Sequence, residues 1–123
     1  MKIFISQPMG IVSVRRQIIE KLTQKYGDDV VIINSCIKDA PPVDKPPLWY
    51  LGESLKTMSQ ADIVVFAYNT PGIGGKTALA RGYDIQEKCA KKYDVLCLYV
   101  PFFEDGETGY IGDLSVKRPD FVE

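Results

Sequence analysis

Residues 62–86 read DIVVFAYNTPGIGGKTALARGYDIQ, and this stretch decides how the chain folds. Ile63, Val64, Val65, Phe66 and Ala67 form an apolar run with the pattern of a strand. Asn69, Pro71, Gly72, Gly74 and Gly75 break that run, and a helical pattern takes over from Thr77. A strand, a glycine-rich turn and a helix start leave backbone N–H groups and the positive end of a helix dipole facing an anion. The stretch is therefore the expected floor of a small-ligand site.

Toward the N-terminus, residues 2–6 (KIFIS) read as a short buried strand. Gln7, Pro8, Met9 and Gly10 end it, because Pro8 has no N–H for a ladder and Gly10 tolerates unusual dihedrals. Val14, Ile18, Leu22 and Tyr26 recur every four residues with Ile19 beside them. This spacing predicts an amphipathic helix over 11–26, with Gly27 at its C-terminal cap. Residues 30–34 (VVIIN) form a β-branched run of the kind that fills a parallel strand covered on both faces. The proline-rich segment 38–47 is predicted to be extended, and Leu48, Leu51, Leu55 and Met58 then mark a second helix.

Toward the C-terminus the pattern predicts a helix over 77–93 and a strand over 94–100 (DVLCLYV). After Pro101 the periodicity dissolves. Gly106, Gly109, Gly112 and Pro119 mix with Phe102, Phe103, Tyr110 and Phe121, which suits either a short fifth strand or a tail docked on a neighbouring subunit. The expected organisation is an α/β domain over 1–100 and a C-terminal tail over 101–123. Alternating strands and helices with short loops imply a parallel sheet of four to five strands with right-handed crossovers and helices on both faces. With strand order 2-1-3-4 the order reverses between strands one and three, so the ligand crevice is expected between residues 7–10 and 69–77.

A chain of 123 residues is expected to form one domain. Its net charge of −1, with the basic residues scattered, gives no electrostatic case for nucleic acid as a partner. No apolar run approaches the ~20 residues that span a bilayer, and no basic segment precedes an apolar one as in a secretory signal. Cys36, Cys89 and Cys97 are odd in number and widely spaced, which fits reduced thiols in a cytoplasmic protein. The absence of histidine argues against imidazole chemistry and most transition-metal sites, so neither metal nor cofactor is expected. Any catalysis falls to carboxylates, lysines, tyrosines or thiols.

Residues 70–77, TPGIGGKT, nearly match a phosphate-binding P-loop. Thr70 replaces the pattern's first glycine, however, and too little chain follows to build the rest of such an NTPase core. Lys76 beside a glycine-rich helix start still suits a phosphate or carboxylate; the plainer reading is a solvated surface loop. Asp84 and Glu87, three apart on the predicted helix, share a face and are candidates for a nucleophile or an acid–base pair. Among Lys88, Lys91 and Lys92, their plainer reading is a solvated helix surface. Cys89 and Cys97 have apolar neighbours and read as inert core thiols. Trp49 and Tyr50 open the second helix, either as packing groups or as aromatics at a crevice rim where a nucleobase would stack.

Taken together, Ile5-Ser6-Gln7-Pro8-Met9, Leu48-Trp49-Tyr50-Leu51-Gly52 with Ser54-Leu55 and Met58-Ser59, Ala61-Asp62, Ala80-Arg81-Gly82 and Cys89-Ala90 resemble a family. They look like small phage and bacterial nucleoside 2-deoxyribosyltransferases, over roughly residues 1–100. The resemblance implies a flavodoxin-like α/β sandwich, usually assembled as a homo-oligomer with sites completed by a neighbour's tail. It also implies cleavage of an N-glycosidic bond through a glutamate nucleophile on the helix after the third strand, a route that splits one difficult displacement into two. This chain departs from the family at that glutamate. Aligning Ala80-Arg81-Gly82 and Cys89-Ala90 puts Gln86 there, and a rival register puts Ala80 there. Neither is a carboxylate, and an amide is a very poor nucleophile. Ser54 falls where the transferases carry an aspartate, and the loop over 69–79 is longer than the resemblance leads one to expect.

Lost carboxylates together with a gained glycine- and lysine-bearing loop favour capture of an anionic ligand over turnover. The expected ligand is a nucleotide or ADP-ribose derivative, held by a sensor or a sequestering sponge; in a phage setting the target would be a host signalling nucleotide. Its expected contacts are Gln7, Pro8, Met9, Trp49, Ser54, Asn69, Gly72, Gly74, Gly75, Lys76, Thr77, Arg81 and Gln86. The alternative is an active transferase or nucleotide N-glycosidase that uses Glu87 or Asp84 after a local register shift.

Overall fold

A computed structural model describes residues 1–6, 12–34, 44–69, 83–103 and 109–119. In chain order these form β1 (Lys2–Ser6), α1 (Val12–Tyr26), β2 (Val31–Ile32), α2 (Pro47–Met58), β3 (Ile63–Asn69), α3 (Tyr83–Lys92), β4 (Leu96–Phe103) and β5 (Tyr110–Ile111). The five strands make one mostly parallel sheet in the order β2-β1-β3-β4-β5. The first four are parallel, as their alternation with helices requires. Only β5 runs antiparallel, against the end of β4. The segment after Pro101 thus adds a fifth strand to its own chain's sheet.

Alternate residues of each strand supply two separate cores. On one face Ile3, Ile5, Ile63, Val65, Ala67, Leu98, Val100 and Phe102 pack with Val14, Ile18 and Leu22 of α1. These α1 residues are the every-fourth-residue stripe of the sequence, and all three are fully buried. On the other face Phe4, Val64, Phe66, Cys97 and Tyr99 pack with Met58 of α2 and Ala90 of α3. Helices therefore contribute core residues to both faces of the sheet. Gly27 ends α1 with φ of +86°, a conformation that costs glycine no Cβ clash, and its N–H donates to Thr23 O at 2.8 Å.

The second strand corrects an expectation. Residues 30–34 were predicted to be covered on both faces, yet β2 is the outermost strand and Val31 is 54% exposed. Its ladder to β1 continues beyond its two strand residues through a side chain. Val31 N–H donates to Met1 O and Ile33 N–H to Ile3 O. Where the next main-chain pair would fall, the Asn34 amide takes over: Oδ1 accepts from Ile5 N–H at 2.9 Å and Nδ2 donates to Ile5 O at 2.6 Å. Arg15 of α1, itself buried, donates to the Asn34 carbonyl. Asn34→Ala strips both partners from Ile5 and is expected to cost about 1–3 kcal/mol in a urea melt. Asn34→Asp keeps the acceptor for Ile5 N–H but turns a carboxylate oxygen toward Ile5 O, so it should restore none of that loss.

The third helix is seen from Tyr83 onward, and residues 77–82 of its predicted span lie outside the described residues. Among the described residues no helix is long and apolar enough to cross a membrane.

Candidate functional site

From the carboxyl end of β1, one row of residues crosses the sheet in register. Ser6 lies beside Phe66, Phe66 beside Tyr99, and Tyr99 beside Ser115. In-register neighbours project to the same face, here the face that carries α2 and α3. The Phe66 and Tyr99 rings stack with centroids 5.7 Å apart.

Onto this row α3 sets two consecutive polar side chains. Ser6 Oγ donates to Gln86 Oε1 at 2.6 Å, and the Tyr99 hydroxyl donates to Glu87 Oε2. The helix thereby inverts the usual rule, burying Gln86 and Glu87 while leaving Ile85 47% exposed. A buried polar group is the informative exception, since glutamate is almost never fully buried without partners.

Glu87 has those partners. Arg118 Nε donates to both carboxylate oxygens at 2.9 Å. Lys91, one turn along α3, places Nζ 3.6 Å from Oε2 and 5.9 Å from the centre of the Tyr99 ring. Burial alone would raise the Glu87 carboxyl. The hydrogen bonds from Tyr99 and Arg118 and the charges of Lys91 and Arg118 outweigh it and hold the group below the ordinary glutamate value. Burial, reinforced by the bond to Glu87, pushes the Tyr99 phenol well above its usual value. The Glu87 bond in turn raises Arg118. At neutral pH the cluster is therefore carboxylate, phenol and guanidinium, with the carboxylate engaged from three sides.

Gln86 is different. Ser6 satisfies its Oε1, and its Nε2 donates to no described residue. An amide N–H of this kind can donate to a ligand acceptor.

Trp49 stands in the first turn of α2, 36% exposed. It packs edge-on to Tyr50 at 5.2 Å, with Lys45 Nζ 5.8 Å from its ring centre. Short turns join the ends of α2 and α3 to the starts of β3 and β4. Both helices therefore begin toward the carboxyl edge of the sheet, the edge at which open parallel sheets bind ligands. Ser54 is half-buried in α2, and Asn69 closes β3 in register with Phe102. Gln7, Pro8, Met9, Gly72, Gly74, Gly75, Lys76, Thr77 and Arg81 lie outside the described residues, as does Ala80.

One reading is overturned. Glu87 is 6% exposed, so it does not belong to a solvated surface among lysines. The cause is Arg118, 31 residues away in sequence, together with Tyr99. Asp84 is exposed, as a solvated helix residue would be. Cys97 is buried and its thiol is raised by that burial, Cys89 is half-buried, and both are free. Ser6, Tyr99 and Arg118 escaped the sequence reading. A hydroxyl within an otherwise apolar strand, and Gln86 with Glu87 on the face of Ala90, were the available signals for the first two contacts. Arg118 offered none. Among the described residues no cluster could hold a metal ion.

No family model matches the chain, and neither a curated protein nor a solved structure matches it. The site stands on its own geometry.

Proposed function

We propose that this chain binds a nucleotide-type small molecule, a nucleotide or an ADP-ribose derivative, without turning it over. In this reading the sheet and its helices form a flavodoxin-like scaffold akin to that of nucleoside 2-deoxyribosyltransferases, and the protein works as a cytoplasmic homo-oligomer. The single observation that carries the proposal is the state of the two polar residues at the start of α3. Gln86 is buried and neutral and its Nε2 donates to no described residue, while the neighbouring carboxylate of Glu87 is occupied by Tyr99 and Arg118.

A nucleophilic carboxylate needs a lone pair free to reach an anomeric carbon. Glu87 has its oxygens directed at three donors, and their combined effect lowers its basicity. Gln86, beside Ser6, has only hydrogen bonds to offer. Such a pair suits holding a sugar hydroxyl rather than breaking a bond to it. In the full site a base would stack near Trp49 and Met9, and sugar hydroxyls would meet Gln7, Ser54 and Gln86. Phosphates would meet the glycine-rich residues 72–76 with Lys76. A binder of this kind serves as a sensor or sponge, and in a phage setting it would sequester a host signalling nucleotide.

Titration calorimetry with AMP, ADP and ADP-ribose tests the proposal. Saturable binding is expected for at least one of them, weakened roughly ten- to a hundredfold by Lys76→Ala, the worth of a charge-assisted phosphate contact. Absence of heat with all three, at concentrations up to the millimolar range, would sink it.

A further inference from the structure

Residues 109–119 are tied to both faces of the sheet. From α1, Gln17 Nε2 donates to Gly109 O at 2.7 Å, and Gln17 Oε1 accepts from Ile111 N–H at 3.3 Å. Lys21 Nζ donates to Gly112 O at 2.7 Å and pairs with Asp113 at 3.2 Å. At Gly112 the segment crosses Pro101 of β4 so closely that a Cβ would lie 2.7 Å from the proline ring, and Gly112 N–H donates to Pro101 O at 2.8 Å. Ser115 then exchanges two main-chain hydrogen bonds with Tyr99, at 2.8 and 2.9 Å. Three residues on, Arg118 reaches Glu87 of α3, on the opposite face from α1.

We infer that residues 109–119 form a strap around the β4 edge, and that Arg118 is a positioning residue. By clamping Glu87 it seats the start of α3 on the Ser6–Phe66–Tyr99 row and thereby holds Gln86 against Ser6.

Among its described side chains the helix has little apolar anchorage, so it depends on such a clamp. Ala90 is its one fully buried apolar residue among the described side chains, Cys89 is half-buried, and Ile85 faces outward. Polar contacts to Ser6, Tyr99 and Arg118 replace the missing hydrophobic stripe. Gln86 and Glu87 are adjacent in one turn, so a rotation that freed one carboxylate would withdraw the neighbouring amide from Ser6 as well.

The groups that face Glu87 come from every element packed there: Tyr99 from β4, Arg118 from the strap and Lys91 from its own helix. Cys97 of β4 also senses its charge, and Asp84 acts on Arg118. Glu87 is held below the ordinary glutamate value, so the clamp is closed at neutral pH. It opens as pH falls through that lowered value. None of this depends on which ligand the site takes.

NMR of the ligand-free full chain tests the strap through the Gln86 side-chain amide. In the parent protein its signals are expected to follow a single acid titration with a midpoint below the usual glutamate range. Arg118→Gln should move that midpoint upward and speed hydrogen exchange of the α3 amides from Glu87 to Ala90 about tenfold, allowing for the partial exposure of Arg118. Arg118→Lys should restore part of both, and Glu87→Gln should abolish the titration. The inference is overturned if a folded Arg118→Gln leaves midpoint and exchange unchanged, or if the titration persists in Glu87→Gln. Should Arg118→Gln not fold, Arg118→Lys decides: an unshifted midpoint and unchanged exchange refute the strap.

Discussion

Glu87→Gln is expected to destabilise the fold by about 2 kcal/mol at pH 7, with the gap closing in acid. The substitution keeps the shape and an acceptor oxygen but removes the charge to which Tyr99, Arg118 and Lys91 are directed. Hydrogen bonds to a charged group contribute about 1.5–3 kcal/mol each. The lower figure applies here, because Arg118 and Lys91 are partly solvated and surface screening weakens their share. The sign with pH follows from the lowered carboxyl value. A group whose pKa is depressed on folding stabilises the native state above its unfolded value. That stabilisation disappears as pH falls through the folded value. Urea melts at pH 7 and in acid, run on both proteins, should show the parent losing its lead. A gap that stays constant or widens in acid would mean that Glu87 is not held as a carboxylate.

The reverse pH dependence is expected one residue earlier. Gln86→Glu places a new carboxyl in a buried position where Ser6 offers a single donor and Glu87 is already ionised next door. Burial and the neighbouring like charge both favour the neutral form, so this carboxyl is raised rather than lowered. A group whose pKa is raised on folding lends its stability below the unfolded value and loses it as pH increases. The variant should match the parent in mild acid and fall behind by a few kcal/mol at neutral pH. It also carries the chemical consequence of the functional proposal. A carboxyl restored beside Ser6 gives a bound nucleotide the nucleophile or acid that the parent lacks. Slow release of free base by the variant, with none from the parent, is the expected outcome, read by chromatography. Equal release by both would remove Gln86 from the account of why the parent does not turn over.

Much of the framework was legible in the chain. The spacing of Val14, Ile18 and Leu22 identified a helix face because a 3.6-residue period repeats every four residues, and those residues fill one core. Alternation of strands and helices pointed to a parallel sheet, and the order 2-1-3-4 assumed in placing the crevice is the observed one. The place of residues 30–34 was not legible. A β-branched run reads alike at the centre and at the edge of a sheet, and only the strand order and the exposure of Val31 distinguish them. At the site, Gln86 was singled out by alignment with a family pattern, while Glu87 was read as surface because QEKCAKK is as polar as any exposed helix. What buries it is Arg118, positioned by two main-chain bonds between Ser115 and Tyr99. Such a contact depends on the path of the closing segment around β4, which no local pattern encodes.

Capture without turnover is the central claim, and one measurement addresses it most directly. The protein is incubated with stoichiometric ADP-ribose or AMP and passed through a desalting column, and the protein fraction is denatured and chromatographed. Intact nucleotide in that fraction, after hours of incubation and without free base, is the predicted result. Free base whose appearance is abolished by Glu87→Gln or Asp84→Asn would contradict it.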